Sequence, residues 1–178
     1  MRNIVLIGPM GSGKSTVGAA LARKMGRPHV DTDHFFAARH GSIPEFFAEH
    51  GEEAFRAEEE KIVAELCDSP RPSVISLGGG AILSRATREV IASHWVVMLD
   101  ATADQVVARI GDASTRPMLK DTSLGEDPAA VWQRIYQERE PLYRQCADYI
   151  MEPADMSIET RADTIITAFH QDTQRTGT

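Results

Sequence analysis

The chain has 178 residues, with 19 lysines and arginines against 26 aspartates and glutamates, for a formal net charge of −7. Hydrophobic residues make up 42% and charged residues 25% of the composition, which argues against a disordered chain. The acidic balance argues against nucleic acid or an anionic membrane as a partner, because both favour a basic surface. The length fits one domain, so we expect a single domain that acts on a small molecule.

Cysteine content and hydropathy favour a cytoplasmic protein. Cys67 and Cys146 are far apart and form no CxxC motif, so neither a disulfide framework nor a zinc site is indicated. We expect both to be small buried hydrophobic residues. No apolar run approaches the ~20 residues that span a bilayer, and the first residues show no signal-peptide pattern.

Short apolar runs alternate with helical patterns along the chain. Runs at Ile4–Ile7, just before Asp31, at 74–77, at Trp95–Leu99 and at Tyr149–Met151 predict strands. Helices are predicted over Lys14–Met25, from about Ser84, after a Thr102–Gln105 capping box, from Asp127-Pro128, and around Ala162–Phe169. This alternation predicts an α/β fold, a parallel sheet with helices on both sides.

Two stretches interrupt the alternation. Residues 33–67 are helical in pattern throughout; Ser42 to Glu45 forms a capping box that predicts the start of one helix, and Gly51 predicts its end. Residues 112–127 are polar and rich in turn-forming residues, which is typical of a mobile flap or a solvated loop.

The strongest motif is Gly8-Pro-Met-Gly-Ser-Gly-Lys-Ser, which matches G-x-x-x-x-G-K-[ST] between a predicted strand and a predicted helix. The glycines allow backbone N–H groups to surround phosphate oxygens at a helix N-terminus. Lys14 can neutralise phosphate charge, and the Ser15 hydroxyl can bind Mg²⁺. This pattern predicts a nucleoside-triphosphate site.

Three aspartates follow predicted strands, where ligands bind in open α/β sheets. Asp31 and Asp33 lie two apart, so in an extended segment their side chains point the same way. One can assist Mg²⁺ and the other can accept a proton from an attacking hydroxyl, while a helix N-cap near His34 is the alternative. Asp100 is either an ATPase-type carboxylate or a residue of the turn after its strand. No guanine-binding Asn-Lys-x-Asp motif is present, which disfavours a GTPase.

Charged residues on apolar helix faces predict further contacts. Glu59 falls within an apolar stripe, and Arg56 is its natural partner. Arg139 continues an apolar face and is therefore predicted to meet an anion. For each arginine, a surface position or a structural ion pair is the alternative. Pro141 is expected to kink or end this helix.

Three consecutive glycines, Gly78, Gly79 and Gly80, follow the third predicted strand. A turn alone does not require three glycines, so they suggest a backbone that contacts a ligand.

Together these features resemble the shikimate kinase family, in the nucleoside-monophosphate-kinase-like group of P-loop proteins, from about Asn3 to Phe169. The matching pieces are residues 8–16, Asp-Thr-Asp at 31–33, the glycine and isoleucine at 41 and 43, Phe-Arg-x-x-Glu at 55–59, the glycines at 78–80, Arg-Pro-Met-Leu at 116–119 and Glu-Arg-x-Pro-Leu-Tyr at 138–143. The P-loop is shared with many families, whereas the other pieces in this order are far more specific.

The resemblance implies a three-layer P-loop kinase fold with a five-stranded parallel sheet. It implies a core of residues 1–32, 68–111 and 127–171, an acceptor-binding subdomain of about 33–67 and a lid of about 112–126. It further implies transfer of the ATP γ-phosphate to the 3-hydroxyl of shikimate, on the route to chorismate and aromatic amino acids, by a monomer that uses Mg²⁺.

The resemblance also implies roles for individual residues. Asp33 holds and deprotonates the hydroxyl, Arg56 and Arg139 clamp the shikimate carboxylate, and Gly79 offers its backbone to the ring hydroxyls within the 78–80 segment. The implied ATP site is Gly11, Ser12, Gly13, Lys14, Ser15, Thr16, Arg109 and Arg116. In that site Lys14 and Arg116 stabilise the transferring phosphoryl group, Arg109 stacks on adenine, Ser15 binds Mg²⁺, and Asp31 does so through water.

The sequence departs from the family pattern after Asp33, where His34-Phe35-Phe36-Ala37 lacks a commonly present carboxylate, and at Pro44. One alternative is another small-molecule kinase of this fold, such as a gluconate kinase, because gluconate also carries a carboxylate. A second alternative is a non-catalytic nucleotide-binding module. That module is expected to lack Lys14, Asp33 or the lid arginine, and all three are present.

Overall fold

A computed structural model describes residues 2–110 and 127–177. Five strands form one sheet, in which every neighbouring pair is parallel, in the order β2–β3–β1–β4–β5. The strands are β1 (Ile4–Ile7), β2 (His29–Asp31), β3 (Val74–Ser76), β4 (Trp95–Leu99) and β5 (Tyr149–Met151). The predicted five-stranded parallel sheet is confirmed, with β3 ending one residue earlier than expected.

Seven α-helices connect or follow these strands within the two described ranges. They are α1 (Lys14–Met25), α2 (Thr32–His40), α3 (Ile43–Cys67), α4 (Arg85–Ile91), α5 (Ala103–Ile110), α6 (Pro128–Cys146) and α7 (Ile158–Thr176), and a short 3-10 helix covers Ala81–Leu83. The predicted loop at 112–126 lies outside the described residues.

Each face of the sheet has its own core, because successive strand residues point to opposite sides. Ile4 and Leu6 of β1 pack with α1 and α7 residues in one cluster. Val5 and Ile7 pack in a second cluster with residues of α3, α4 and α6. The result is the predicted three-layer arrangement of helices, sheet and helices.

The segment between β2 and β3 is helical, as predicted, but its start differs in detail. Within the described structure the Ser42 side chain makes no capping hydrogen bond, so the predicted capping box is wrong. Pro44 instead occupies the first turn, where its missing N–H needs no partner. Gly51, at φ 80° and ψ 173°, breaks the helix where its end was predicted, and a second helical stretch continues to Cys67.

Two further helix starts match the sequence patterns. Thr102 and Gln105 exchange hydrogen bonds between side chain and backbone, at 3.3 and 3.4 Å, as a capping box requires. The Asp127 carboxylate accepts a hydrogen bond from Ala129 N at 3.2 Å. Pro141 does not end α6, which continues to Cys146; proline removes one hydrogen bond of the helix, and the following turn is anchored by the buried Tyr143.

The structure can be compared with what was expected of the two cysteines and of membrane-spanning segments. Cys67 is buried as expected, whereas Cys146 is only half-buried; both are free thiols. Of the helices in the described ranges, none has the length and apolar character of a transmembrane segment.

Candidate active site

The phosphate-binding loop follows β1 and leads into α1. Gly8, Gly11 and Gly13 have φ values of 139°, 79° and 93°, a region that disfavours any residue with a β-carbon. The loop borders a cavity of about 540 Å³, which is also lined by the ends of β2 and β3 and by α6. The glycine spacing of the motif therefore reflects a backbone conformation required by the loop.

Most predicted ATP-site residues lie around this cavity. Gly11, Gly13, Lys14, Ser15 and Thr16 line it. The Lys14 ammonium donates to the carbonyl oxygens of Gly8 at 2.8 Å and Pro9 at 2.9 Å, which holds the side chain folded against the loop.

Three predicted ATP-site residues remain. Ser12 is fully buried beneath the loop. Arg109 lines the cavity and donates to the Gly11 carbonyl oxygen at 3.3 Å. Arg116 lies outside the described residues.

Asp31 and Asp33 both line the cavity, but not for the reason expected. Only Asp31 belongs to a strand; α2 begins at Thr32, so Asp33 lies in the first helical turn. Asp31 is the N-cap, since its Oδ1 accepts hydrogen bonds from Asp33 N at 3.0 Å and His34 N at 3.2 Å. The expected extended geometry for Asp33, and a capping role for it, are therefore wrong.

The Asp31 carboxylate also bonds to the P-loop. Its Oδ2 accepts a hydrogen bond from the Ser15 hydroxyl. A hydroxyl and a carboxylate side by side on a phosphate-binding cavity are oxygen ligands of the kind Mg²⁺ prefers, with waters and phosphate completing its shell. This pair therefore fits a magnesium ion.

Glu59 and Arg56 form the predicted pair on α3. The Arg56 Nη1 atom donates to Glu59 Oε2 at 2.6 Å, and the Glu59 side chain is 6% exposed. Burial raises the pKa of Glu59, because the carboxylate is removed from water, and the neighbouring Arg56 opposes that rise. The pair is thus a partly desolvated one, with the glutamate orienting the guanidinium.

Two of the three glycines, Gly78 and Gly80, lie where charged side chains approach the backbone. A β-carbon on Gly78 would lie 2.6 Å from Asp33 Oδ1 and 2.9 Å from Glu59 Oε1. A β-carbon on Gly80 would lie 2.7 Å from the Arg56 Cζ atom. Besides the predicted contact with a ligand, Gly78 and Gly80 therefore leave room for these charged side chains.

Their backbone contacts differ along the segment. Gly79 and Gly80 line the cavity, whereas Gly78 N donates to Thr32 Oγ1 at 2.9 Å. Arg56 does not itself line the cavity among the described residues; it approaches from beside Gly80.

Helix α6 supplies the facing wall. Arg139 is half-buried and lines the cavity together with Tyr143, and its charge acts on the Tyr143 hydroxyl. The Tyr143 hydroxyl donates to the Gly79 carbonyl oxygen. Burial raises the pKa of Tyr143 to about 12, even though Arg139 and Arg56 both favour its ionised form, so the hydroxyl keeps its proton.

Two aromatic residues of α6 were not predicted as site residues. Tyr143 donates to the Gly79 carbonyl oxygen and lies near the charge of Arg139, and its place four residues after Arg139 on the same helix was the available signal. Trp132 lines the cavity, and its indole Nε1 donates to the Met10 carbonyl oxygen of the P-loop at 2.9 Å. Sequence patterns gave no sign of that contact, because it joins residues 122 positions apart.

Asp100 proves to be a structural residue of the turn after β4. Its carboxylate is 4% exposed and accepts hydrogen bonds from Ala101 N at 2.8 Å, the Tyr136 hydroxyl at 2.8 Å and Arg144 Nη2 at 3.0 Å. Among the described residues it does not line the cavity. The alternative of an ATPase-type carboxylate is therefore disfavoured.

The cavity joins the P-loop to the carboxylates of Asp31 and Asp33 and to the guanidinium of Arg139. The Arg56 guanidinium lies next to Gly80. Such a cavity can hold a nucleoside triphosphate next to an anionic acceptor that carries a hydroxyl group.

Comparisons with known proteins agree with this description. A family model described as "Shikimate kinase" matches residues 10–170. The shikimate kinase of Pseudoalteromonas atlantica is 38% identical over 172 residues, covering 96% of this chain and 98% of that protein.

Solved structures extend the comparison to the fold. The shikimate kinase of Acinetobacter baumannii in complex with shikimate has a TM-score of 0.89 at 33% identity, covering 97% of this chain and 94% of that one. A gluconokinase from Sinorhizobium meliloti has a TM-score of 0.62 at 18% identity, covering 99% and 98%, and shares the fold alone. The chain belongs to the shikimate kinase family.

Proposed function

We propose that this chain transfers the γ-phosphate of ATP to the 3-hydroxyl of shikimate, giving shikimate 3-phosphate and ADP on the route to chorismate and aromatic amino acids. The observation that carries the proposal is the juxtaposition, on one P-loop cavity, of the Asp33 carboxylate with the guanidinium of Arg139. A hydroxylated carboxylic acid matches both groups, because one can take a hydroxyl proton and the other can pair with a carboxylate.

On the nucleotide side, the backbone N–H groups of residues 11–16 hold the phosphates at the N-terminus of α1. Lys14 neutralises charge on the transferring phosphoryl group, helped by Arg116 from the proposed lid of about 112–126, while Arg109 stacks on adenine. Lys14 already lies against the loop, so it has a short distance to move from its carbonyl partners to a phosphate.

On the acceptor side, Arg139 and Arg56 clamp the shikimate carboxylate, and residues 78–80 contact the ring hydroxyls. Asp33 holds the 3-hydroxyl and accepts its proton as the hydroxyl oxygen bonds to the γ-phosphorus. The bond from the γ-phosphorus to the bridging oxygen breaks at the same time, and ADP leaves with that oxygen.

The Ser15 hydroxyl and the Asp31 carboxylate, the latter through water, hold Mg²⁺ with the nucleotide. When bound, the ion neutralises charge on the phosphate oxygens. The Ser15–Asp31 hydrogen bond supports this assignment, because it holds both oxygen groups at one point of the cavity wall.

The proposal includes an organisation of the chain. Residues of about 33–67 form the acceptor-binding subdomain on a core of 1–32, 68–111 and 127–171. The aromatic residues Phe36, Phe46 and Phe55 support a separate packing unit there, since they cluster with one another. We further propose that the protein acts as a cytoplasmic monomer.

A coupled ADP-release assay with shikimate, gluconate and nucleoside monophosphates tests the acceptor. We expect turnover with shikimate only; turnover with gluconate in its place would reject the proposal. Asp33→Asn is expected to lower kcat by orders of magnitude and leave the ATP KM nearly unchanged.

A second variant tests the carboxylate clamp. Arg139→Ala is expected to raise the shikimate KM, with Arg134→Ala, on the exposed side of the same helix, as its matched control. An unchanged shikimate KM in Arg139→Ala would remove Arg139 from the clamp.

A further inference from the structure

Side chains from four helices donate hydrogen bonds to the backbone carbonyl oxygens of the P-loop. Lys14 of α1 donates to the carbonyl oxygens of Gly8 and Pro9. In turn, Trp132 of α6 donates to Met10 O at 2.9 Å, Arg109 of α5 to Gly11 O at 3.3 Å, and Arg161 of α7 to Ser12 O at 3.2 Å. Because carbonyl and N–H groups of a peptide chain point in opposing directions, fixing the carbonyl oxygens also fixes where the N–H groups point.

Arg161 is the unexpected member of this set. It is 3% exposed, yet within residues 2–110 and 127–177 it forms no ion pair, and its Nε and Nη2 atoms have no hydrogen-bond partner. A buried, unpaired guanidinium opposes folding, and its place in the first turn of α7 adds repulsion from the helix dipole. Burial and the nearby charge of Arg109 both lower its pKa.

The position of the Arg161 charge relates it to the phosphates. Its Nη1 atom would be 3.7 Å from a β-carbon on Gly13, the residue that caps α1. The guanidinium therefore lies directly behind the backbone that forms the phosphate site, on the side away from the cavity. A cation there strengthens the positive potential of the α1 N-terminus, and a bound polyphosphate offsets the repulsion between Arg161 and Arg109.

We propose that Arg161 is a positioning residue for ATP, which holds the Ser12 carbonyl and supplies positive charge behind the P-loop that raises affinity for the polyphosphate chain. The proposal extends the proposed function to a residue that does not touch substrate. It implies that the protein keeps a side chain that opposes folding because that side chain improves binding.

The test measures nucleotide binding directly by calorimetry, without shikimate, in wild type, Arg161→Met and Arg161→Lys. We expect Arg161→Met to raise the ATP Kd about tenfold and to raise the Kd of inorganic tripolyphosphate, measured in the same way, by a similar factor. Arg161→Lys is expected to recover most of the affinity, because it restores the charge. Arg175→Met removes the same charge from the exposed end of the same helix and is expected to match wild type.

Thermal unfolding separates this role from a structural one. We expect the Tm of Arg161→Met to equal or exceed that of wild type, because an unpaired buried charge is removed. A lower Tm with unchanged ATP Kd would overturn the proposal, as would weaker ATP binding with an unchanged tripolyphosphate Kd. If Arg161→Met fails to fold, Arg161→Gln replaces it, because glutamine keeps a donor for Ser12 O without the charge. We expect Arg161→Gln to show the same loss of ATP affinity. Wild-type ATP affinity in that variant would overturn the proposal.

This design distinguishes the inference from the proposed function. Absence of shikimate-dependent turnover in wild type would refute the proposed reaction and leave the binding comparison interpretable.

Discussion

The guanidinium group of Arg56 occupies the space that a β-carbon on residue 80 would need. The Arg56 Cζ atom is 2.7 Å from that position, well inside the contact distance of two carbon atoms. Glu59 holds the guanidinium there at 2.6 Å. The glycine at 80 and the arginine at 56 are therefore one structural unit, although 24 positions separate them in the sequence.

Gly80→Ala is expected to displace Arg56 and raise the shikimate KM about tenfold, with little change in the ATP KM. The measurement is a double-mutant cycle with Arg56→Ala, because the added methyl has no guanidinium to displace in that background. We expect Gly80→Ala to add almost nothing to Arg56→Ala. Additive effects of the two substitutions would show that Gly80 acts independently of Arg56.

Tyr143→Phe removes the hydroxyl that donates to Gly79 O and lies near the charge of Arg139. We expect the shikimate KM to rise several-fold while the ATP KM stays constant, and the free energy of unfolding to fall by about 1 kcal/mol for the lost hydrogen bond. Steady-state kinetics and urea unfolding measure the two effects. Tyr149→Phe, on β5, serves as control, and an equal rise of both KM values would argue against a role specific to the acceptor.

Glu59 predicts a pH-dependent stability term. Because burial raises its pKa above the ordinary value of 4.5, the folded protein keeps this proton at pH values where the unfolded chain has lost it. The contribution of Glu59 to stability therefore falls as pH rises through that interval. Glu59→Gln lacks this titration, so its unfolding free energy minus that of wild type is expected to grow as pH rises above 4.5.

Urea unfolding at several pH values checks this difference, with Glu53→Gln, exposed on the same helix, as the matched variant. A difference that shrinks as pH rises would mean that Arg56 outweighs burial and lowers the pKa of Glu59. Glu59→Gln is also expected to raise the shikimate KM, since the Glu59 carboxylate orients Arg56.

Asp100→Asn tests the structural role of the turn after β4. The substitution leaves the Arg144 guanidinium and the Tyr136 hydroxyl beside a neutral amide. We expect the free energy of unfolding to fall by about 1–3 kcal/mol, with the KM for ATP and the Mg²⁺ dependence unchanged. A large loss of kcat with unchanged stability would instead mark Asp100 as a carboxylate of the catalytic machinery.

Much of the fold follows from local patterns. The apolar runs of β1 and β4 are buried on both faces of the sheet and can be recognised from composition alone. Thr102 with Gln105, and Asp127, mark helix starts through hydrogen bonds that span only a few residues. Ser42 marks the start of α3 as predicted, since it is the N-cap, but its side chain makes no capping hydrogen bond in the described structure and Pro44 lies in the first turn.

The alternation of apolar runs and helical patterns predicted the class of fold, and the P-loop motif predicted a loop with the backbone conformation of a phosphate site. Both depend on residues that are adjacent in the chain. The Arg56–Glu59 pair was also predictable, because residues three apart share a helix face.

Only the tertiary structure decided which distant residues meet. It assigned Asp100 to an ion pair with Arg144, joined Tyr143 to Gly79 and buried Arg161 behind the P-loop. It also showed why Gly78 and Gly80 are glycines. The physical reason is that packing of helices onto a sheet brings together groups far apart in the chain, and no local pattern encodes those distances. The net charge of −7 follows from composition alone, whereas only the fold decides which few cations lie around one loop.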